Sequence, residues 1–320
     1  MPAPSNRFRL VTRSDFDGLV CAVLLEHLDL VDEITFVHPK DMQDGAVAVS
    51  ARDITTNLPY RPEVHLCFDH HLSETLRTPE RAPNHVIDGS APSAARVVWR
   101  HYGGHDAFPC AWDEMMAAVD KADAAQFSIE EIHEPRGWVM LNFLMDARSG
   151  LGRVHHFRIS NYQLMMDLIG HCTSKSIDEI LALPDVAERI EMYQAHDELY
   201  RLQARRCARA YDALVCLDLR GEQTIHVSNR FMIYAMFPEC SISMHVLNGQ
   251  AGRNTVFALG KSIINRDCPT NIGALMLEYG GGGHENAGTC QVDNDRAEEV
   301  KRTLIERVRA EHWAALRQSA

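Results

Sequence analysis

Four short polar clusters each follow an apolar run, and their residue types are those that bind hard divalent cations. "TRSDFDGLV" sets Asp15 and Asp17 one residue apart, and like charges so close need a counter-charge to be favourable. "SARDITTN" holds Asp53, "FDHH" holds Asp69, His70 and His71, and "VDKADAAQF" holds Asp120 and Asp123. Carboxylates with imidazoles and no paired thiolates suit Mn²⁺ or Mg²⁺, with Mn²⁺ favoured once a histidine is a ligand. Two such cations sharing a carboxylate and a water would hydrolyse a phosphate ester or anhydride. Taken singly, each cluster has a plainer reading, because an Asp after a strand is more often a helix N-cap and Asp53 before "ITTN" suits a turn. It is the conjunction, in this order, that carries the chemical signal.

The elements that must position these residues alternate. "RFRLVT", "EITFVHP", "GAVAVSARD", "VHLCFDHH" and "HVIDG" read as strands, and "GLVCAVLLEHL", "SAARVVWRHYG" and "CAWDEMMAAVDKADA" as helices. That order predicts an α/β fold, a doubly wound and mostly parallel sheet with ligands at the carboxyl ends of its strands. Residues 130–210 read as helical, and no motif assigns the stretch a role. After them "LVCLDL", "TIHVSN", "SISMHVLNG", "TVFALGKS" and "AGTCQVD" read as strands with a helix "NIGALMLEYG" and a terminal helix, a smaller α/β domain with a mixed sheet. The expected division is a catalytic domain over 1–190, a connecting helix over 191–212 and a second domain over 213–320, with the site in the cleft between the two domains.

Composition narrows the partners. The chain has 320 residues and a formal charge of −12, which disfavours long duplex nucleic acid and leaves a small phosphate-bearing substrate open. Nine scattered cysteines without a C-x-x-C argue against a disulfide framework or a thiolate zinc site. No apolar run is long enough to span a bilayer, and the start lacks a signal-peptide pattern, so no membrane association and a cytoplasmic location are expected. A homodimer is compatible with the sequence.

"SDFDG", "FDHH" and the distal "GGGGHENAG" together resemble the DHH phosphoesterase superfamily, in its two-domain form with a DHH-associated C-terminal domain. Its members include short-oligoribonucleotide hydrolases, 3′-phosphoadenosine 5′-phosphate phosphatases, cyclic-dinucleotide phosphodiesterases and exopolyphosphatase-like proteins. The resemblance implies Asp15 and Asp17 as ligands of a first and a second Mn²⁺ and Asp53 as their bridge. It implies His70 on the second metal and His71 facing the substrate phosphate. Asp69 would orient a histidine, Asp123 would be the fourth-motif ligand, and Asp120 would stand behind the ligands or serve structure. In the glycine run, Gly281, Gly282, Gly283 and His284 would contact substrate, and Lys261, Ser262, Asn265 and Arg266 of "GKSIINR" would lie on a strand facing the same cleft.

One departure concerns the first Asp pair. Relatives carry a histidine just upstream, where this chain has Val11 and Arg13. A guanidinium has no lone pair for a metal but binds phosphate oxygens, which makes Arg13 a candidate catalytic residue. "LGKS" is not a P-loop, since Thr255 stands where the earlier glycine is needed. The favoured reading is a metal-dependent phosphohydrolase acting on a short oligonucleotide or nucleotide. An exopolyphosphatase and a non-catalytic nucleotide or phosphate sensor with a degenerate first metal site are the alternatives.

Overall fold

A computed structural model describes residues 7–71, 82–154 and 156–319. The chain divides into two compact units, one made of residues up to Phe127 with Pro135–Glu191, the other of Ser128–Glu134 with Met192–Ala320.

The first unit is built on a parallel five-stranded sheet in the order β2-β1-β3-β4-β5. Its strands are β1 (Phe8–Arg13), β2 (Val31–Val37), β3 (Asp53–Thr56), β4 (Leu66–Asp69) and β5 (His85–Ile87). Strand order reverses between β1 and β3, and in such sheets the crevice at that reversal is the natural ligand position. Helix α1 (Phe16–His27) follows β1 after two intervening residues and is buried from Phe16 to Leu25, as the apolar run that follows Asp17 requires. Asp15 caps it, accepting a bond from Gly18 N at 3.0 Å. A Cβ at position 18 would lie 1.9 Å from the Arg13 carbonyl oxygen, so only glycine lets the helix pass this close under the strand end. Helices α2 (Ala94–His101) and α3 (Asp113–Asp123) pack on α1.

The second unit carries a mixed six-stranded sheet in the order β10-β11-β9-β8-β7-β6. Its strands are β6 (Ala208–Tyr211), β7 (Leu214–Asp218), β8 (Ile242–Asn248), β9 (Asn254–Lys261), β10 (Gly282–His284) and β11 (Ala287–Asp293). Only β7 and β8 run parallel. Its core joins sheet residues such as Leu214, Met244 and Phe257 to Ile272, Leu304 and Val308 of the helices Ile272–Leu277 and Ala297–Ser319. No helix among the described residues is long and apolar enough to cross a membrane.

Several expected elements shift. The strand expected over "GAVAVSARD" begins only at Asp53. The alternation upstream arises because Val47 and Val49 pack on the satellite cluster of Val11, Met42 and Leu58, a half-buried loop with a strand's pattern. "TIHVSN" is not a strand. Its backbone is satisfied by side chains of the helix Pro184–Cys207: Gln203 Oε1 accepts from His226 N at 3.1 Å, His196 Nδ1 accepts from Val227 N at 3.0 Å, and Gln203 Nε2 donates to Thr224 O at 2.7 Å. That helix starts earlier than the expected 191–212 and gives way at residue 208 to β6. Part of the unassigned helical stretch, Ser128–Glu134, belongs to the second unit. There Ile132 O accepts from Asn229 Nδ2 at 3.0 Å, and His133 is held by Arg201.

Candidate metal centre

The first turn of α1, the loop after β4 and the end of α3 bring Asp17, His70 and Asp123 together, with one ligand atom of each within 4.8 Å of the others. It is the one such group of three found among the described residues. Asp17 is 3% exposed and braced by the first turn of α2, accepting from Ala94 N at 2.9 Å and Ala95 N at 2.8 Å. Its carboxylate retains further lone pairs for a cation. That helix start is itself fixed by Ser93, whose hydroxyl accepts from Arg96 N and donates to Asp120 at 2.7 Å, and Asp120 also binds Arg96 through two bonds. Asp120 thus braces the start of α2 and is not in the group of three.

The "DHH" stretch divides its labour. Asp69, fully buried at the end of β4, accepts from His70 N at 2.8 Å, His71 N at 3.2 Å and His71 Nδ1 at 2.7 Å. The His70 ring places Nδ1 3.3 Å from Ala91 O and Nε2 2.9 Å from Asp123 Oδ2. Nε2 is buried beside that carboxylate yet forms no aligned hydrogen bond. A ring nitrogen and two carboxylates that converge without bonding one another well fit a divalent cation among them, and an Nδ1 donated to a carbonyl leaves the Nε2 lone pair for it.

The electrostatics agree. Burial and then the neighbouring Asp123 push the Asp17 carboxyl up. Burial alone would push the His70 imidazole down, but Asp123, Asp17 and Asp69 outweigh it and hold it up at about 9. Burial pushes the Asp123 carboxyl up as well, but His70 outweighs it and holds the group low. The centre without a cation is therefore neutralised by protons.

The remaining expected residues lie as follows. Asp15 faces the same strand ends, with Oδ2 2.8 Å from Arg13 Nε. Asp53 corrects an expectation: it starts β3, in register with Arg9 at the opposite end of the sheet, and is spent on Arg9 Nε at 2.7 Å and on Ser50. It does not reach the group it was expected to bridge. The carboxyl end of β3 belongs instead to Asn57, which is 1% exposed, has φ +55° and sends Nδ2 to Asp15 Oδ1 at 3.4 Å. Nothing in the residue types had marked Asn57; correct placement of β3 by its pairing with β1 would have.

In the second unit the glycine run serves local geometry. Gly282–His284 pair with β11, Gly280 has φ +72°, and a Cβ at Gly281 or Gly283 would lie 2.1 Å or 2.3 Å from a backbone oxygen of β11. The turn thus needs more than the one or two glycines expected of it, while Gly282 is sterically unconstrained and His284 exposed. Of "GKSIINR" only Lys261 ends a strand. Lys261 pairs with Glu285 at 3.1 Å, the Ser262 hydroxyl accepts from Ile264 N and Asn265 N, Asn265 donates to Glu239 O, and Arg266 Nε donates to Ile263 O.

The whole chain is similar to a solved structure described as the pGpG-specific phosphodiesterase PggH from Vibrio cholerae. The two are 57% identical over 95% of this chain and 100% of that one, with a TM-score of 0.85. The chain belongs to the DHH phosphoesterase family. This DHH chain also shares its fold with RecJ from Thermus thermophilus, solved in complex with Mn²⁺, at a TM-score of 0.53 and 14% identity over 96% of this chain and 52% of RecJ. No protein-family model and no curated protein matched. The DHH chain is a hydrolase.

Proposed function

We propose that this chain is a metal-dependent phosphodiesterase that cleaves a short linear dinucleotide of the pGpG type. The convergence of Asp17, His70 and Asp123 carries the reading, supported by the identity to PggH along the whole chain. Mn²⁺ suits two carboxylates and an imidazole better than Mg²⁺ does. Bound there, it would supply Lewis acidity towards a phosphoryl oxygen and lower the pKa of water.

The chain's own residues do the rest. Asp17 and Asp123 give the centre its negative charge, and Ala91 O fixes the ring of His70. Asp69 holds Nδ1 of His71, which turns Nε2 outward on a ring that is about one-third exposed. Burial pulls the His71 imidazole down, but Asp69 outweighs it and raises it, so a proton is available at Nε2 for a phosphate oxygen or the departing hydroxyl. Arg13, one-third exposed, directs its guanidinium at the same end of the sheet and suits a phosphate oxygen. Gly282, His284, Lys261 and the residues after it are assigned to the rest of the substrate, within a domain division at about residue 191. The reading also places the enzyme in the cytoplasm as a homodimer, checked by fractionation and by sedimentation.

A screen with Mn²⁺ tests it, following product release from linear and cyclic dinucleotides, a 3′,5′-bisphosphonucleoside and polyphosphate. Turnover of the linear dinucleotide is expected. Preferential turnover of polyphosphate, or binding of nucleotides with no turnover, would replace this reading by the exopolyphosphatase or the sensor.

A further inference from the structure

At the reversal of strand order between β1 and β3, Asp15 and Asn57 face each other, and neither belongs to the group formed by Asp17, His70 and Asp123. The Asp15 carboxylate is already engaged by donors. Oδ1 accepts from Gly18 N at 3.0 Å and from Asn57 Nδ2 at 3.4 Å, and Oδ2 pairs with Arg13 Nε at 2.8 Å. Asn57 is neutral, buried and held in the left-handed region, which a short polar side chain tolerates. Its Oδ1 is buried without a hydrogen-bond partner among the described residues.

The direct contacts fall into two sets, although Asp15 and Arg13 still act on Asp123 through space. Asp17 and Asp123, with a neutral His70, match one divalent cation. Asp15 matches the guanidinium of Arg13, which cannot ligate a metal and repels one. Asp53, the carboxylate expected to join the sets, sits at the far end of β3, and no other carboxylate joins the group of three among the described residues.

We propose that this chain works with one divalent cation per site, and that the Arg13 guanidinium, anchored by Asp15 and flanked by Asn57, fills the second cationic position. The inference rests on the metal-dependent reading above and concerns the division of that charge. Arg13 would then bind a phosphodiester oxygen of the substrate, and the amide oxygen of Asn57 would accept from the substrate or its water.

The experiment strips the full-length protein with chelator, adds Mn²⁺ alone, and counts bound ions by native mass spectrometry and calorimetry. The wild type is expected to take one Mn²⁺ per chain. The double variant Arg13→His, Asn57→Asp, which removes the guanidinium and adds two ligands, is expected to take two. Two Mn²⁺ bound by the wild type overturns the proposal, whatever the variant does. A folded double variant that still takes one overturns the role given to Arg13 and Asn57. If the wild type takes two ions and cleaves a linear dinucleotide, this inference fails alone; if it takes none, the metal-dependent reading fails with it.

Discussion

Replacing Asp53 by alanine separates a structural carboxylate from a metal-binding one. Asp53 is 1% exposed and accepts from Arg9 Nε at 2.7 Å, Ser50 N at 2.5 Å and Ser50 Oγ at 3.1 Å. Charge-assisted bonds of this kind contribute about 1.5–3 kcal/mol each when a buried partner is stranded. The Arg9 side chain is 29% exposed and Ser50 lies in a surface loop, so water recovers much of the loss. A net cost of about 2–3 kcal/mol follows, which for a unit of this size is a Tm lowered by roughly 5–10 °C. The Mn²⁺ affinity, measured by calorimetry at 20 °C where the variant is folded, should stay within about twofold of wild type. Asp123→Asn should do the reverse, lowering affinity by about 100-fold or more while changing Tm little without metal. Loss of Mn²⁺ binding by a thermally unaltered Asp53→Ala protein would refute the placement of this residue.

The other expectations are briefer. In the metal-free protein, the His70 imidazole should titrate near 9 by NMR and fall towards its ordinary value in Asp123→Asn. Because its folded value is raised, the stabilisation is complete below about 6.5 and is lost as pH climbs through about 9, so metal-free melts should fall over that window and Mn²⁺ should flatten the trend. His71→Gln should reduce kcat by about 10²–10⁴-fold while leaving the Mn²⁺ count unchanged. Gly18→Ala should cost more than about 3 kcal/mol, since its Cβ would lie 1.9 Å from backbone, and Gly282→Ala, which meets nothing within 4 Å, should leave Tm unchanged.

The sheet of the first unit was legible because strands buried on both faces read as short apolar runs, and polar residues at their ends showed where ligands gather. The same logic marked the clusters that hold Asp17, His70 and Asp123, and the resemblance to the DHH family singled out these three, which the fold brings together across positions 17 to 123. It misled at β3. A half-buried loop around Val47 and Val49 imitates a strand, so Asp53 was read as a strand's end when it is the beginning. Four residues of displacement exchange the two ends of so short a strand, and with them a carboxylate for the amide of Asn57. In the second unit, β6 and β10 escaped notice because sheet pairing, not side-chain pattern, makes them strands: one continues directly from a helix, the other is largely glycine.

The excursion of Ser128–Glu134 into the second unit has a bearing on how the polypeptide can be made and cut. The chain crosses between units three times, after Phe127, after Glu134 and after Glu191. During synthesis the bonds that Ile132 O and His133 make to Asn229 and Arg201 form only after those residues have emerged, so the excursion docks late. A fragment begun at Met192 would strand the buried Asn229 amide, whose other bond goes to Tyr193 OH at 2.7 Å. An autonomous second unit would instead need the seven residues from Ser128 to Glu134 joined ahead of Met192 by a linker, in their natural order.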